Sequence, residues 1–178
     1  MKAIFLDRDG TINVGVPTYE RVDSLDKVQL LPDTIEALKL LATPDFGVFF
    51  VTNQAGLAEG LISRQQFEEI NSKVLKLIKP SGVKIVDTYV CPHSERDNCE
   101  CRKPKPKLLL DAAREHDIEL EKSWMIGDRP SDVMTGINAG TKAILVKTGV
   151  STVESGQATY TASTLLEAVQ YIRMQEKD

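Results

Sequence analysis

Short apolar runs closed by polar or Gly/Pro residues alternate along this chain with stretches of helical period, and that alternation constrains the fold more than any other feature. Residues 2–6, 47–51, 85–90, 124–126 and 143–146 are rich in β-branched and aromatic side chains and read as strands. Between them, Pro32 opens a segment, 33–42, in which Ile35, Leu38 and Leu41 recur at helical spacing. Ser63 and Gln66 fit a reciprocal cap for a second helix whose stripe is Phe67, Ile70, Val74 and Leu77, and Pro80 stops it. Pro106 precedes a third with Leu108, Leu109, Ala112 and Ala113. Ser131 is expected to cap a fourth that Gly140 ends, and Ser163 a last one running through Met174. Strands alternating with helices pair in parallel through right-handed crossovers, which predicts a three-layer, Rossmann-like α/β domain with a central parallel sheet. With 178 residues, 42% of them hydrophobic, no repeat and no long linker, the expectation is a single domain over 1–178.

In an open α/β sheet, ligands bind at the carboxyl ends of the strands. Asp7 and Asp9 follow the first strand, Thr52 and Asn53 the second, a Cys/His loop (91–105) the third, and Gly127-Asp128 the fourth. Four polar clusters from distant sequence therefore meet at one edge. Two carboxylates at the mouth of an apolar strand repel each other unless a cation intervenes, and a hard ion such as Mg²⁺ suits a carboxylate cage completed by substrate phosphate. An isolated Asp-x-Asp also fits residues that only end a strand, because Asp is common in turns. Added to Thr52, Asn53 and Lys103, it describes a phosphoryl-transfer site.

These residues carry a pattern. Asp7-x-Asp9-Gly10-Thr11, Thr52-Asn53, Lys103 and Gly127-Asp128-x-x-x-Asp132 resemble, in order, the four motifs of haloacid-dehalogenase-like phosphatases. The resemblance implies that Asp7 is a nucleophile forming an aspartyl phosphate, and that Asp9 is general acid and then base. It further implies Mg²⁺ on Asp7, the Asp9 backbone carbonyl and Asp128. Thr52 and Lys103 would stabilise the transferring group, and Asp132 would support Lys103 or a metal-bound water. Asn53, Gln54, Arg102 and Arg129 are expected to bind substrate. A phospho-accepting receiver domain would share the acceptor Asp but would not need an acid at Asp9.

All three cysteines lie within eleven residues, as Cys91-Pro-His93 and Cys99-Glu-Cys101. Three thiolates and an imidazole make a closed tetrahedral zinc set with no open position, so the expected Zn²⁺ braces a loop and leaves chemistry to Mg²⁺. The loop leads directly into Arg102 and Lys103. His116, with no metal-spaced neighbour, reads as a surface residue. The zinc segment before the lysine resembles the branch that holds the heptose-bisphosphate and histidinol phosphatases, which lack a large cap domain. Residues 52–60 and 147–149 resemble the heptose side, and the short spacing from His93 to Cys99 resembles the histidinol side. The reading adopted is a sugar bisphosphate of heptose activation, with histidinol phosphate second and a non-catalytic zinc-stabilised binding module as the rival from another class. Within the long loop 14–28, residues 14–23, with Gly15, Pro17, Thr18 and Tyr19, are expected to cover the substrate.

Lys+Arg 22 against Asp+Glu 26 gives a net charge of −4, and aromatic residues are 6%. That balance provides neither the basic groove nor the stacking platform of a nucleic-acid partner, nor a basic patch for a membrane. The first apolar run is too short for a signal-peptide core. The expectation is a cytoplasmic monomer acting on a small phosphorylated metabolite.

Overall fold

The computed structural model describes residues 1–15, 22–149 and 155–176. Six strands, β1 (Lys2–Leu6), β2 (Phe46–Asn53), β3 (Ile85–Cys91), β4 (Trp124–Gly127), β5 (Lys142–Val146) and β6 (Tyr160–Ala162), form one sheet in the order β3-β2-β1-β4-β5-β6. Every neighbouring pair is parallel. The chain winds outward from β1 to β3, returns to β4 beside β1, and winds outward again, so the winding direction switches between β1 and β4. Leu6 lies opposite Phe50 on one side and Ile126 on the other, which aligns the strand ends there. A ligand crevice opens at such a switch point.

Helices α1 (Thr34–Leu41), α2 (Ala55–Ala58), α3 (Arg64–Ile78), α4 (Lys107–His116), α5 (Pro130–Ala139) and α6 (Leu165–Gln175) follow the strands. Alternate residues of the same strand face opposite layers. Ile4, Leu6, Phe50, Trp124 and Ile126 pack with Leu38 of α1, Ile70 and Val74 of α3, and Ile172 of α6. Ala3, Phe5, Phe49, Val51 and Met125 pack with Leu108, Leu109 and Ala112 of α4, while Val133 of α5 meets Ala143 and Leu145. The result is the three-layer α/β architecture expected. Among the described residues no inserted domain covers the sheet edge, and no helix is long and apolar enough to cross a membrane.

Several local expectations need correction. β6 was not foreseen. The Ser63/Gln66 capping box is present, with Gln66 N–H donating to Ser63 Oγ at 3.1 Å and Ser63 N–H to Gln66 Oε1 at 2.7 Å. In α3, however, Ile78 rather than Leu77 is buried, because 70, 74 and 78 continue one helical row and Leu77 falls beside it. Ser131 does not cap α5: Arg129 holds that position and its N–H is bound by Asp132. In α6 the cap is Thr164, whose side chain accepts from Glu167 N–H, one place after Ser163. His116 is half-buried, its ring centroid 5.0 Å from that of Phe49, so it is not a free surface residue. Of loop 14–28, Pro17, Thr18 and Tyr19 lie outside the described residues, whereas Val22 and Val28 are buried in the core.

Candidate active site

The β1 strand ends at Leu6, and the Asp7 N–H still donates to Ile126 O of β4 at 2.9 Å, fixing the backbone of Asp7 between the two central strands. Lys103 reaches it from the loop after β3. Asn53, at the end of β2, clamps the Lys103 peptide: its Oδ1 accepts from Lys103 N–H at 3.1 Å and its Nδ2 donates to Lys103 O at 3.4 Å. Lys103 Nζ then lies 2.6 Å from both Asp7 Oδ1 and Asp132 Oδ1, and donates to Val51 O at 3.0 Å. Two of its protons go to Asp7 Oδ1 and Val51 O, and Asp132 Oδ1 faces the ammonium as an ion pair. Burial pulls the Lys103 pKa down, but Asp132 and Asp7 outweigh it and hold the pKa above the ordinary lysine value, so the ammonium stays charged.

Carboxylate oxygens of Asp7, Asp128 and Asp132 lie within 4.8 Å of one another. Three carboxylates thus face one buried ammonium. Burial, reinforced by Asp132, raises Asp128 to about 6, with Arg129 and Lys103 opposing. Burial also raises Asp7 well above the carboxylate range; Lys103 opposes this, and Asp132 and Asp128 add to it. Asp128 Oδ1 is buried without a hydrogen-bond partner. Backbone presses on the same carboxylate: a Cβ at Gly10, where φ is +99°, would stand 2.6 Å from Asp128 Oδ2, and one at Gly149 only 1.7 Å. Only glycine permits that approach. Excess negative charge, an orphaned oxygen and an all-oxygen donor set fit a hard divalent cation.

Asp9 is placed differently. Its Oδ1 accepts from Arg8 Nε at 3.0 Å and Asn13 Nδ2 at 2.9 Å, and its Oδ2 from Arg8 Nη2 at 2.8 Å and Gln54 Nε2 at 2.9 Å. Burial alone would raise this carboxyl, yet the Arg8 guanidinium, with Asn13 and Gln54, holds it below the ordinary value. The Gln54 amide also donates to Thr52 Oγ1 at 2.9 Å.

A cleft of about 490 Å³ opens over these groups, lined also by Gly15, Val22, Glu59, Glu95, Arg102 and Arg129. Arg102 donates to His93 O at 3.2 Å, and Arg129 Nε stands 4.0 Å from Asp128 Oδ2 with about half its side chain exposed. Every residue expected from sequence to act on phosphate or substrate therefore borders one cleft. Asn53 and Gln54, expected to meet substrate, border the cleft, and their amides also bond Lys103, Asp9 and Thr52. Arg8 and Asn13 were missed. The sole sequence signal was a cation between two aspartates, which reads as an exposed charge.

Cys91, His93, Cys99 and Cys101 converge as expected, with their ligand atoms within 4.8 Å of one another. Cys101 Sγ lies 3.1 Å from Cys91 Sγ and 3.6 Å from Cys99 Sγ, and His93 Nδ1 lies 3.3 Å from Cys101 Sγ. The cluster could hold one metal ion, and it sits immediately before Arg102 and Lys103.

A parallel α/β sheet with an acidic cluster at its switch point, a buried lysine bridging two aspartates and a cleft open to a small molecule marks a phosphoryl-transfer hydrolase. A family model described as HAD-hydrolase-like matches residues 100–169. The D-glycero-beta-D-manno-heptose-1,7-bisphosphate 7-phosphatase of Pasteurella multocida is 36% identical over 181 residues, covering 97% of each chain. The histidine biosynthesis bifunctional protein HisB of Campylobacter jejuni is 34% identical over 80% of this chain, but over only 41% of its own length. Among solved structures, the D,D-heptose 1,7-bisphosphate phosphatase of B. bronchiseptica, complexed with magnesium and phosphate, superposes with a TM-score of 0.87 at 30% identity, covering 98% of this chain and 99% of that one. The chain belongs to the haloacid-dehalogenase-like hydrolases, and its activity is that of a phosphatase.

Proposed function

We propose that the protein removes the 7-phosphate of D-glycero-D-manno-heptose 1,7-bisphosphate through an aspartyl phosphate on Asp7. The observation that carries this reading is the match to the P. multocida enzyme across 97% of both chains, and it is supported by a cleft that Asp7, Asp9, Thr52, Lys103 and Asp128 all border. Asp7 attacks phosphorus, and Asp9 gives its proton to the departing sugar oxygen. Water then attacks the phosphoryl group with Asp9 as base, releasing phosphate and restoring Asp7. Lys103, pinned by Asp132 and Val51 O, keeps Asp7 oriented and faces the phosphoryl oxygens with its charge. Asp7, Asp128 and the Asp9 carbonyl would hold Mg²⁺, which when bound supplies charge neutralisation to the phosphoryl group. Arg102 and Arg129 at the cleft mouth suit the second phosphate.

The Cys₃His cluster is read as a structural zinc site. Ligands at about 2.3 Å in a tetrahedron place sulfurs roughly 3.8 Å apart; Cys99 lies 3.6 Å from both other sulfurs, and Cys91 and Cys101 are closer, at 3.1 Å. Zinc there would brace the loop that delivers Arg102 and Lys103. The working form is taken to be a single-domain cytoplasmic monomer. Histidinol phosphate is the second reading, favoured by the HisB match. Comparing kcat/KM for the two substrates decides between them: a preference for heptose bisphosphate is expected, and a preference for histidinol phosphate by about a hundredfold, near 3 kcal/mol of transition-state binding, would overturn the assignment.

A further inference from the structure

Arg8 is the largest charged side chain fully removed from solvent, and it does not line the cleft. Its guanidinium carbon lies 5.3 Å from the centroid of the Phe67 ring, at the start of α3, and its fork meets both oxygens of Asp9. We propose that Arg8 is the positioning residue for Asp9, with Asn13 completing a cradle that fixes where the Asp9 carboxyl points in both half-reactions. The inference rests on the acid–base role given to Asp9 above.

Among the described residues, four donors and no acceptor bond the Asp9 carboxylate. Arg8 and Asn13 meet Oδ1, and Arg8 and Gln54 meet Oδ2, so both carboxyl oxygens are held in place. In the first half-reaction the bond from Asp7 oxygen to phosphorus forms, the bond from phosphorus to the leaving oxygen breaks, and the Asp9 proton passes to that oxygen. In the second, water oxygen bonds to phosphorus, the bond to Asp7 breaks, and the water proton passes to Asp9. Asp9 faces the leaving oxygen in the first step and the attacking water in the second, and the cradle holds its carboxyl in one orientation for both. Gln54 borders the cleft and Arg8 does not. Gln54 is therefore the donor that water can displace from Oδ2, while Arg8 and Asn13 keep the carboxylate aimed.

The test uses p-nitrophenyl phosphate, whose leaving group needs no proton, so that only the second half-reaction depends on Asp9. Arg8→Lys keeps the charge and loses the fork. We expect kcat to fall at least about tenfold, a modest part of what acid–base catalysis supplies. KM should fall in parallel, leaving kcat/KM within about twofold. Stopped flow should show a nitrophenolate burst approaching one per enzyme. Asn13→Ala, which leaves the ion pair in place, should show a smaller change of the same pattern, and it carries the test if the lysine variant does not fold. A parallel loss of kcat and kcat/KM without a burst, the pattern of general damage, would overturn the proposal. Asp9→Asn separates the two levels. If that variant hydrolyses heptose bisphosphate at the wild-type rate, the acid–base reading itself fails. If it is slow while Arg8→Lys is at the wild-type rate, the positioning role alone fails.

Discussion

Asp128→Asn offers a quantitative test of the acidic cluster. The Asp128 carboxyl is buried, one of its oxygens has no partner, and burial together with Asp132 raises it to about 6. Carrying an aspartate from its ordinary value to that one corresponds to about 3 kcal/mol. Because the pKa is raised in the folded state, the group favours folding fully only below its unfolded value. The contribution is lost as pH rises through about 6. In metal-free protein the ionised Asp128 is therefore a burden at neutral pH, and the asparagine variant is free of it. Urea unfolding in the presence of EDTA should find the variant gaining on the wild type by about 3 kcal/mol between about pH 4 and about pH 8. Taking the difference between the two proteins at each pH cancels the titrating groups that do not interact with Asp128, leaving Asp128 and the neighbours coupled to it. Adding Mg²⁺ should stabilise the wild type more than the variant, by mass action on the folded state. A gap that does not change with pH, or a variant that Mg²⁺ stabilises as well as the wild type, would refute the reasoning.

Three further outcomes follow from the same geometry. Asp7→Asn should abolish turnover while circular dichroism and zinc content stay unchanged; full activity would remove Asp7 as nucleophile. Lys103→Met deletes an ammonium held at 2.6 Å by two buried carboxylates, and urea unfolding in EDTA should show a loss of about 3–5 kcal/mol, so an unchanged midpoint would contradict the bridge. Cys99→Ser should lower zinc stoichiometry and thermal stability together, and metal analysis finding no zinc in the native protein would refute the loop assignment.

Much of this architecture was legible because burial follows backbone period. The inner strands bury both faces, so β1 and β4 stand out as apolar runs, and the acidic residues that end those runs mark the sheet edge. β6 carried no such mark: Tyr160-Thr161-Ala162 is three residues long, with only Ala162 fully buried. The start of α6 was misplaced by one residue because Ser163 is as good an oxygen acceptor as Thr164, and the start of α5 by two because Arg129 carries no acceptor oxygen to mark it. Convergence of Asp7, Thr52, Lys103 and Asp128 could be deduced from strand order. The fate of individual polar atoms could not. The amides of Asn53 and Gln54 also bond protein groups, and Arg8 is buried because Asp9 pairs with its guanidinium and the Phe67 ring lies against it, although local sequence presents that charge as solvated.

The central claim is that Asp7 carries the phosphoryl group during turnover. Asp9→Asn lacks the base for the second half-reaction, so mixing it with p-nitrophenyl phosphate and quenching in acid should trap the intermediate. Mass spectrometry of the N-terminal peptide should then show one added phosphoryl group at Asp7, approaching one per enzyme. Rapid release of nitrophenolate with the Asp7 peptide unmodified, or with the phosphoryl group on another residue, would contradict the account.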